Sequence, residues 1–324
     1  MTMGRSVFDR KAAMLAAALL SVYICWGGTY LAIRFAVETM PPFLMAGLRF
    51  VLAGTFMYAL SRWRGAPAPP GGAWLRAAGV GMLLLAGGNG GVVWAAKMVP
   101  SSLTALLVAT SPLWMVTLNW LWLKDTRPGL TTWAGVVLGL AGIGMLAGGE
   151  SVFMGESPVS PFWALVLTGA AFLWGLGSIA SRKAGLPGSA VMSTGMQMLG
   201  GGAALLLMGA AAGEWGQLTV ASVSLKSFLG FAYLVVFGSL VGFSAYVWLL
   251  QNASPVLAST YAYVNPVVAM LLGVVLGGEV LGGRTILSAA VIVFSVILLT
   301  ASQVRRTSAR EAALSGKKAC PSRG

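Results

Sequence analysis

Ile24-Cys25-Trp26-Gly27-Gly28-Thr29-Tyr30-Leu31-Ala32-Ile33-Arg34 decides the fold, because the chain writes this stretch twice. It returns as Leu173-Trp174-Gly175-Leu176-Gly177-Ser178-Ile179-Ala180-Ser181-Arg182, with Trp-Gly and the closing Arg repeated at an offset of 148 residues. Working outward, Gly47 pairs with Gly195, Arg49 with Gln197 and Gly54 with Gly202. After a six-residue insertion the offset becomes 154, pairing Gly88 with Gly242, Trp94 with Trp248, Pro112 with Pro266 and Asp125 with Glu279. A single Trp-Gly is a chance product of so apolar a chain; an ordered series with one change of offset is not. The chain consists of two homologous halves.

Between these landmarks the sequence is 57% hydrophobic and only 9% charged, with a mean hydropathy of +0.84. A soluble domain carries about 25% charged residues, so this chain cannot cover itself in water. Uncharged runs near the ~20 residues needed to cross a bilayer recur from end to end. An all-α, polytopic membrane protein with ten spans is expected, over 12–33, 43–61, 74–96, 101–123, 130–148, 161–181, 189–212, 226–250, 256–277 and 284–303. Pro41-Pro42 opens the second span, where a missing backbone donor costs little. Gln251-Asn252-Ala253-Ser254-Pro255 divides a run too long for one helix. The first run is too long for a signal-peptide core and is expected to be retained as a helix. Cys25 and Cys320 imply no disulfide framework.

Basic residues concentrate in cytoplasmic loops. With the N-terminus inside, the inner segments hold Arg5, Arg10, Lys11, Arg62, Arg64, Arg76, Lys124, Arg127, Arg182, Lys183 and the six basic residues of the tail; the outer loops hold Arg34, Lys97, Lys226 and Arg284. Both termini are expected to be cytoplasmic. The net charge of +13 follows from this topology, with the tail touching anionic lipid, and calls for no nucleic acid. The expected organisation is a cytoplasmic segment (1–11), a first five-helix repeat (12–148), an outer linker (149–160), a second repeat (161–303) and a basic tail (304–324). Five spans is an odd number, so the second repeat enters the membrane in the opposite sense. Inverted repeats accompany alternating access, with a site near the midplane between halves.

The chain has no His, and none of its acids falls deep in a span. Metal, Ser-His-acid or paired-carboxylate catalysis has nothing to work with at membrane depth, and no phosphate-binding Gly-x-x-x-x-Gly-Lys-Ser/Thr run exists. No enzyme activity, metal or cofactor is expected. Trp26 and Trp174, each mid-helix and followed by Gly, suit cavity walls. Ser111-Pro112 and Asn265-Pro266 form a second matched pair: the prolines are hinge candidates, and Ser111 and Asn265 bring polar groups to the freed carbonyls. Tyr30, Asn89, Ser178, Tyr246 and Tyr261 add hydroxyl and amide groups at similar depth. Arg49, seven residues beyond Pro42, is the one cation within a span; it is expected to snorkel to the outer interface, the alternative being attraction of a carboxylate.

Trp26-Gly27 and Trp174-Gly175, Pro41-Pro42-Phe43 with Gly47-Leu48-Arg49-Phe50, Ser111-Pro112-Leu113 with Asp125, and Asn265-Pro266 with Gly278-Glu279 together resemble the drug/metabolite transporter superfamily, specifically its bacterial ten-span EamA-type exporters. The resemblance runs from about residue 12 to 302. It implies an inverted-repeat fold around a central cavity lined by spans 1, 3, 4, 6, 8 and 9, and efflux of small metabolites through a multi-pass protein of the bacterial inner membrane. Within that family the chain is similar to YddG-like amino-acid exporters. The expected function is secondary, facilitative export of amino acids, aromatic or otherwise neutral, and related metabolites by a monomer or weak homodimer in the lipid bilayer. Efflux of lipophilic cations is the rival transport reading, and a non-transporting membrane scaffold the rival of another class.

Overall fold

The computed structural model describes residues 2–123, 129–147, 159–186, 189–253, 255–258, 260–298 and 301. All ten expected spans are helical there. They are α1 (Thr2–Gly27, continued as Thr29–Ala36), α2 (Pro42–Trp63), α3 (Gly71–Ala95), α4 (Ser101–Val108, then Ser111–Leu123), α5 (Leu130–Ala147), α6 (Pro161–Lys183), α7 (Ala190–Ala211), α8 (Leu225–Asn252), α9 (Pro255–Ala258, then Tyr261–Val275) and α10 (Gly283–Leu298). Seven are long and apolar enough to cross a membrane; α5, α9 and α10 contribute shorter apolar helices. Asp125, residues 149–158 of the linker and the basic tail lie outside the described residues.

Local chemistry sets the helix ends. Pro41 holds an extended backbone and Pro42 is the first residue of α2. The hydroxyls of Ser189 and Ser224 cap α7 and α8 by accepting from the backbone N–H of Met192 and Ser227. Gly65 and Gly213, equivalent under the 148-residue offset, follow α2 and α7 with φ of 84° and 70°, a region that a side chain makes costly.

The relation between the halves can be read from α2 and α7, which pack along each other. A Cβ placed on Gly54 would lie 3.0 Å from both the Gly195 carbonyl oxygen and the Leu199 nitrogen. One on Gly202 would lie 3.2 Å from the Gly47 oxygen and 3.0 Å from the Val51 nitrogen. Each set is the image of the other under the offset. Numbers rise along α2 as they fall along α7, so equivalent helices run antiparallel across their own contact, as inverted repeats require. Gly195→Val, whose Cβ would meet the Tyr58 nitrogen at 2.8 Å, is expected to destabilise the fold by about 1–3 kcal/mol of overpacking. Thermal unfolding of the purified protein, followed by size exclusion, checks this, with Gly195→Ala expected to cost less.

Large apolar side chains cover the outside of the bundle: Leu20 and Ile24 on α1, Leu52 and Phe56 on α2, Leu165 on α6 and Leu271 on α9 are all exposed. In water such a surface would be an aggregation site; against lipid it is the solvated face. The centre is filled by Ile33, Phe50, Leu84, Leu85, Leu106, Leu107 and Phe243. The bundle has two ends, one bearing the α1–α2 connection and the other the α2–α3 connection.

Candidate functional site

Trp26 and Trp174 meet at the centre, edge to face, with ring centroids 5.4 Å apart. What brings them there is a glycine in the opposite half. A Cβ at Gly88 would lie 3.1 Å from the Trp174 ring, and one at Gly242 would lie 2.5 Å from Trp26 Nε1. Gly88 and Gly242 are equivalent under the 154-residue offset, as the tryptophans are under the 148-residue one, so both contacts cross between repeats. Around these glycines α3 and α8 widen into π-helix, over Met82–Asn89 and Leu234–Phe243, at matched positions. Such stretches often mark functional sites, because widening disturbs the regular backbone hydrogen bonding. Trp26 Nε1 donates to one carbonyl of this kind, Gly238 O, at 3.1 Å.

Tyr246 and Tyr261 complete an aromatic layer. Tyr246 lies 4.9 Å from Trp26 and 5.5 Å from Trp174, and Tyr261 lies 5.3 Å from Trp26. Aromatic pairs contribute about 0.5–1.5 kcal/mol each beyond area burial, so the layer is a cohesive floor. Trp174 Nε1 donates to the Tyr261 hydroxyl at 3.0 Å, and the Tyr246 and Ser178 hydroxyls share a hydrogen bond of 2.7 Å. Toward the α2–α3 end, Tyr23 bonds Thr260 and Arg182 donates to the Ala253 carbonyl.

On the other side of this floor, toward the α1–α2 end, lies a cavity of about 610 Å³ of empty space, its opening included. Its walls come from both halves: Trp26, Tyr30 and Ile33 of α1, Arg49 and Phe50 of α2, Gly88 and Asn89 of α3, Val108 of α4, Trp174 of α6, Gly238 and Phe243 of α8, and Tyr261 of α9. Of the expected site residues, Trp26, Tyr30, Asn89, Trp174 and Tyr261 line it. Ser178 and Tyr246 instead brace the floor from below. Asn265 is buried away from the cavity with its amide unpartnered.

Ser111 departs from expectation. It is fully buried and absent from the lining, and its hydroxyl donates to Val108 O at 2.6 Å. Pro112 has no N–H for the carbonyl four residues back, which is Val108 O, so Ser111 repairs the bond that Pro112 removes. Pro112 is the second residue of the second segment of α4, whereas Pro266 lies inside α9. Ser111→Ala is expected to destabilise by about 1–3 kcal/mol, the cost of a buried unsatisfied carbonyl, without altering ligand affinity. Unfolding midpoints and binding curves measured side by side check this.

Arg49 is the larger correction. It does not snorkel to an interface: it is 3% exposed, lines the cavity, and donates from Nε to Ser239 Oγ at 2.7 Å. Its isolation as a cation in an apolar span was the available signal. The serine and glycine that receive it, on α8 in the other half, are not linked to it by any motif.

Carboxylates fasten the α1–α2 end. Glu279 accepts from the backbone N–H and hydroxyl of Ser101 at 2.7 and 2.6 Å, from those of Ser102 at 3.1 and 2.6 Å, and from Arg34. The two amides are the first of α4, so a buried anion sits on a helix N-terminus. Burial alone would raise the Glu279 carboxyl, but the hydrogen bonds from Ser101 and Ser102 outweigh it and hold the group below its ordinary range. At the start of α2, Glu214 accepts from the Phe43 and Leu44 amides. Lys226 pairs with Glu38.

The model of the EamA-like transporter family matches residues 13–148 and again residues 161–301. The inner membrane transporter YedA of Escherichia coli is 42% identical over 292 residues, covering 90% of this chain and 92% of that protein. Protein PecM of Dickeya dadantii is 28% identical over 256 residues, covering 76% and 79% of the two chains. A solved crystal structure, 22% identical, superposes with a TM-score of 0.65 over 91% of this chain and 99% of its own, a likeness of fold.

Proposed function

The chain belongs to the EamA-like transporter family, and we propose that it exports amino acids and related small metabolites across the bacterial inner membrane by alternating access, without a coupling ion. The observation that carries this reading is the central cavity, walled by both inverted halves and floored by Trp26 and Trp174. A site at the repeat interface can be reached from either side if one half rocks against the other. An aromatic wall with neutral amides and hydroxyls suits a small amphipathic solute. Membership of the inner membrane follows the relative YedA, described as an inner membrane transporter. The excess of Arg and Lys at the α2–α3 end supports placing that end, with both termini, in the cytoplasm.

Counterflow of labelled amino acids into proteoliposomes, with and without a pH gradient, tests the reading. Saturable exchange that needs no gradient is the expected result. Flux that appears only with a pH gradient would replace facilitation by proton coupling. No flux from folded protein would remove the amino-acid assignment and favour lipophilic cations, which tryptophan faces can hold, or a non-transporting role.

A further inference from the structure

Arg49 is a buried guanidinium without a counter-ion among the described residues. Nε donates to Ser239 Oγ, the guanidinium carbon sits 4.5 Å from the centroid of the Phe50 ring, and Nη1 has no partner. A Cβ at Gly238 would stand 2.7 Å from Nη2, so the absent side chain there makes room for the guanidinium. The described acids at the same end are committed elsewhere: Glu38 to Lys226, Glu214 to the start of α2, and Glu279 to Ser101, Ser102 and Arg34. Among the described residues no carboxylate lines the cavity. Burying a charge unpaired is costly, so a fold that keeps one facing a cavity gains whenever an anion enters.

The repeat supplies an internal control. Under the two offsets Arg49 corresponds to Gln197 and Ser239 to Leu85. The equivalent positions in the other half hold a neutral amide, buried with no hydrogen-bond partner among the described residues, and an apolar side chain. Neither the charge nor its serine is required by the architecture. Both occur only where the cavity is.

We propose that Arg49 is the receptor for a carboxylate, and that the cavity takes small organic acids or zwitterions whose apolar body lies against Trp26 and Trp174. Asn89, whose Oδ1 is buried and unpartnered in the same wall, is the acceptor for a donor on that body. The proposal rests on this cavity being the transport site, and it names the chemical class that site receives.

The test uses the purified full-length protein and matched probes that differ only in charge: butyrate and butyramide, isocaproate and isocaproamide, 3-phenylpropionate and 3-phenylpropionamide. Binding is read at constant ionic strength by tryptophan fluorescence and by thermal shift. At least one carboxylate is expected to bind and its amide to bind about 30-fold more weakly or not at all, the loss expected when one partner of a desolvated charge pair is removed. Arg49→Gln should abolish that preference, and Arg49→Lys should keep part of it. Equal response to acid and amide in every pair, or none to either, overturns the proposal, and wild-type protein alone gives this answer should Arg49→Gln fail to fold. Arg49-dependent binding without amino-acid counterflow would remove the amino-acid assignment and leave this one standing. Amino-acid counterflow with unchanged half-saturation in Arg49→Gln would do the reverse.

Discussion

Trp26→Ala is expected to abolish saturable counterflow, and Trp174→Ala to reduce it more than about tenfold, while both proteins remain in the membrane. Removing a buried indole costs about 3–5 kcal/mol in packing, and a third of that is already a tenfold change in an equilibrium constant. The effect on transport is larger than a stability loss alone would give, because the two rings are the floor that separates the cavity from the α2–α3 end. Without Trp26 the floor loses its contacts to Trp174, Tyr246 and Tyr261 together, along with the hydrogen bond to Gly238. Trp26→Phe should retain part of the activity by keeping a ring without the donor. Because the rings touch, the double variant should be no worse than Trp26→Ala by itself. Exchange assays on protein matched for folded yield decide the matter, and wild-type half-saturation in Trp26→Ala would mean that solutes cross elsewhere.

Glu279→Gln should give the second large effect, here on stability and its pH dependence. One buried carboxylate satisfies two backbone amides and two hydroxyls of α4 and meets Arg34 of α1. Removing a partner from a buried ionic cluster costs about 3–5 kcal/mol, and the partly solvated Arg34 brings the expectation to about 3 kcal/mol. The sign of the pH effect follows from the depressed carboxyl. Its contribution is complete above the ordinary value of 4.5 and is lost as pH falls through the lower folded value. The wild-type unfolding midpoint should therefore drop on acidification below that point, and the Gln variant should lack this component. A wild-type midpoint that rises over the same interval would contradict the assignment.

Much of this architecture was legible in the sequence because its signals are local or repeated. Spans are set by runs of apolar residues, and Trp26-Gly27 with Trp174-Gly175 mark the duplication wherever the helices finally pack. The odd span count gives inversion before any contact is known. What escaped depended on which side chain faces which helix. Arg49 looked shallow by counting from Pro42, but Gly238 and Ser239 on α8 draw it inward. Ser111 looked like a polar contact for solute, yet the carbonyl it serves is orphaned by its own neighbour. Ser178 and Tyr246 lie at the depth expected but outside the cavity lining, beneath indoles whose position arises from packing between repeats. The π-helical stretches have no sequence signature beyond their glycines.

The mismatch between Arg49 and its counterpart Gln197 has a consequence for rates. On the proposed reading, a carboxylate entering from the α1–α2 side meets a cation in the cavity wall, whereas the equivalent place in the other half holds only the buried amide of Gln197. An uncoupled carrier cannot turn that difference into net movement, because flux must vanish when concentrations are equal on both sides, whatever the chemistry of each approach. The difference has to surface in the kinetic constants instead. Uptake from the Arg49 side should saturate at a lower concentration and at a proportionately lower maximal velocity, so that the ratio of the two is the same in both directions. Charge placement would then govern where the carrier saturates, and the gradient alone which way it runs.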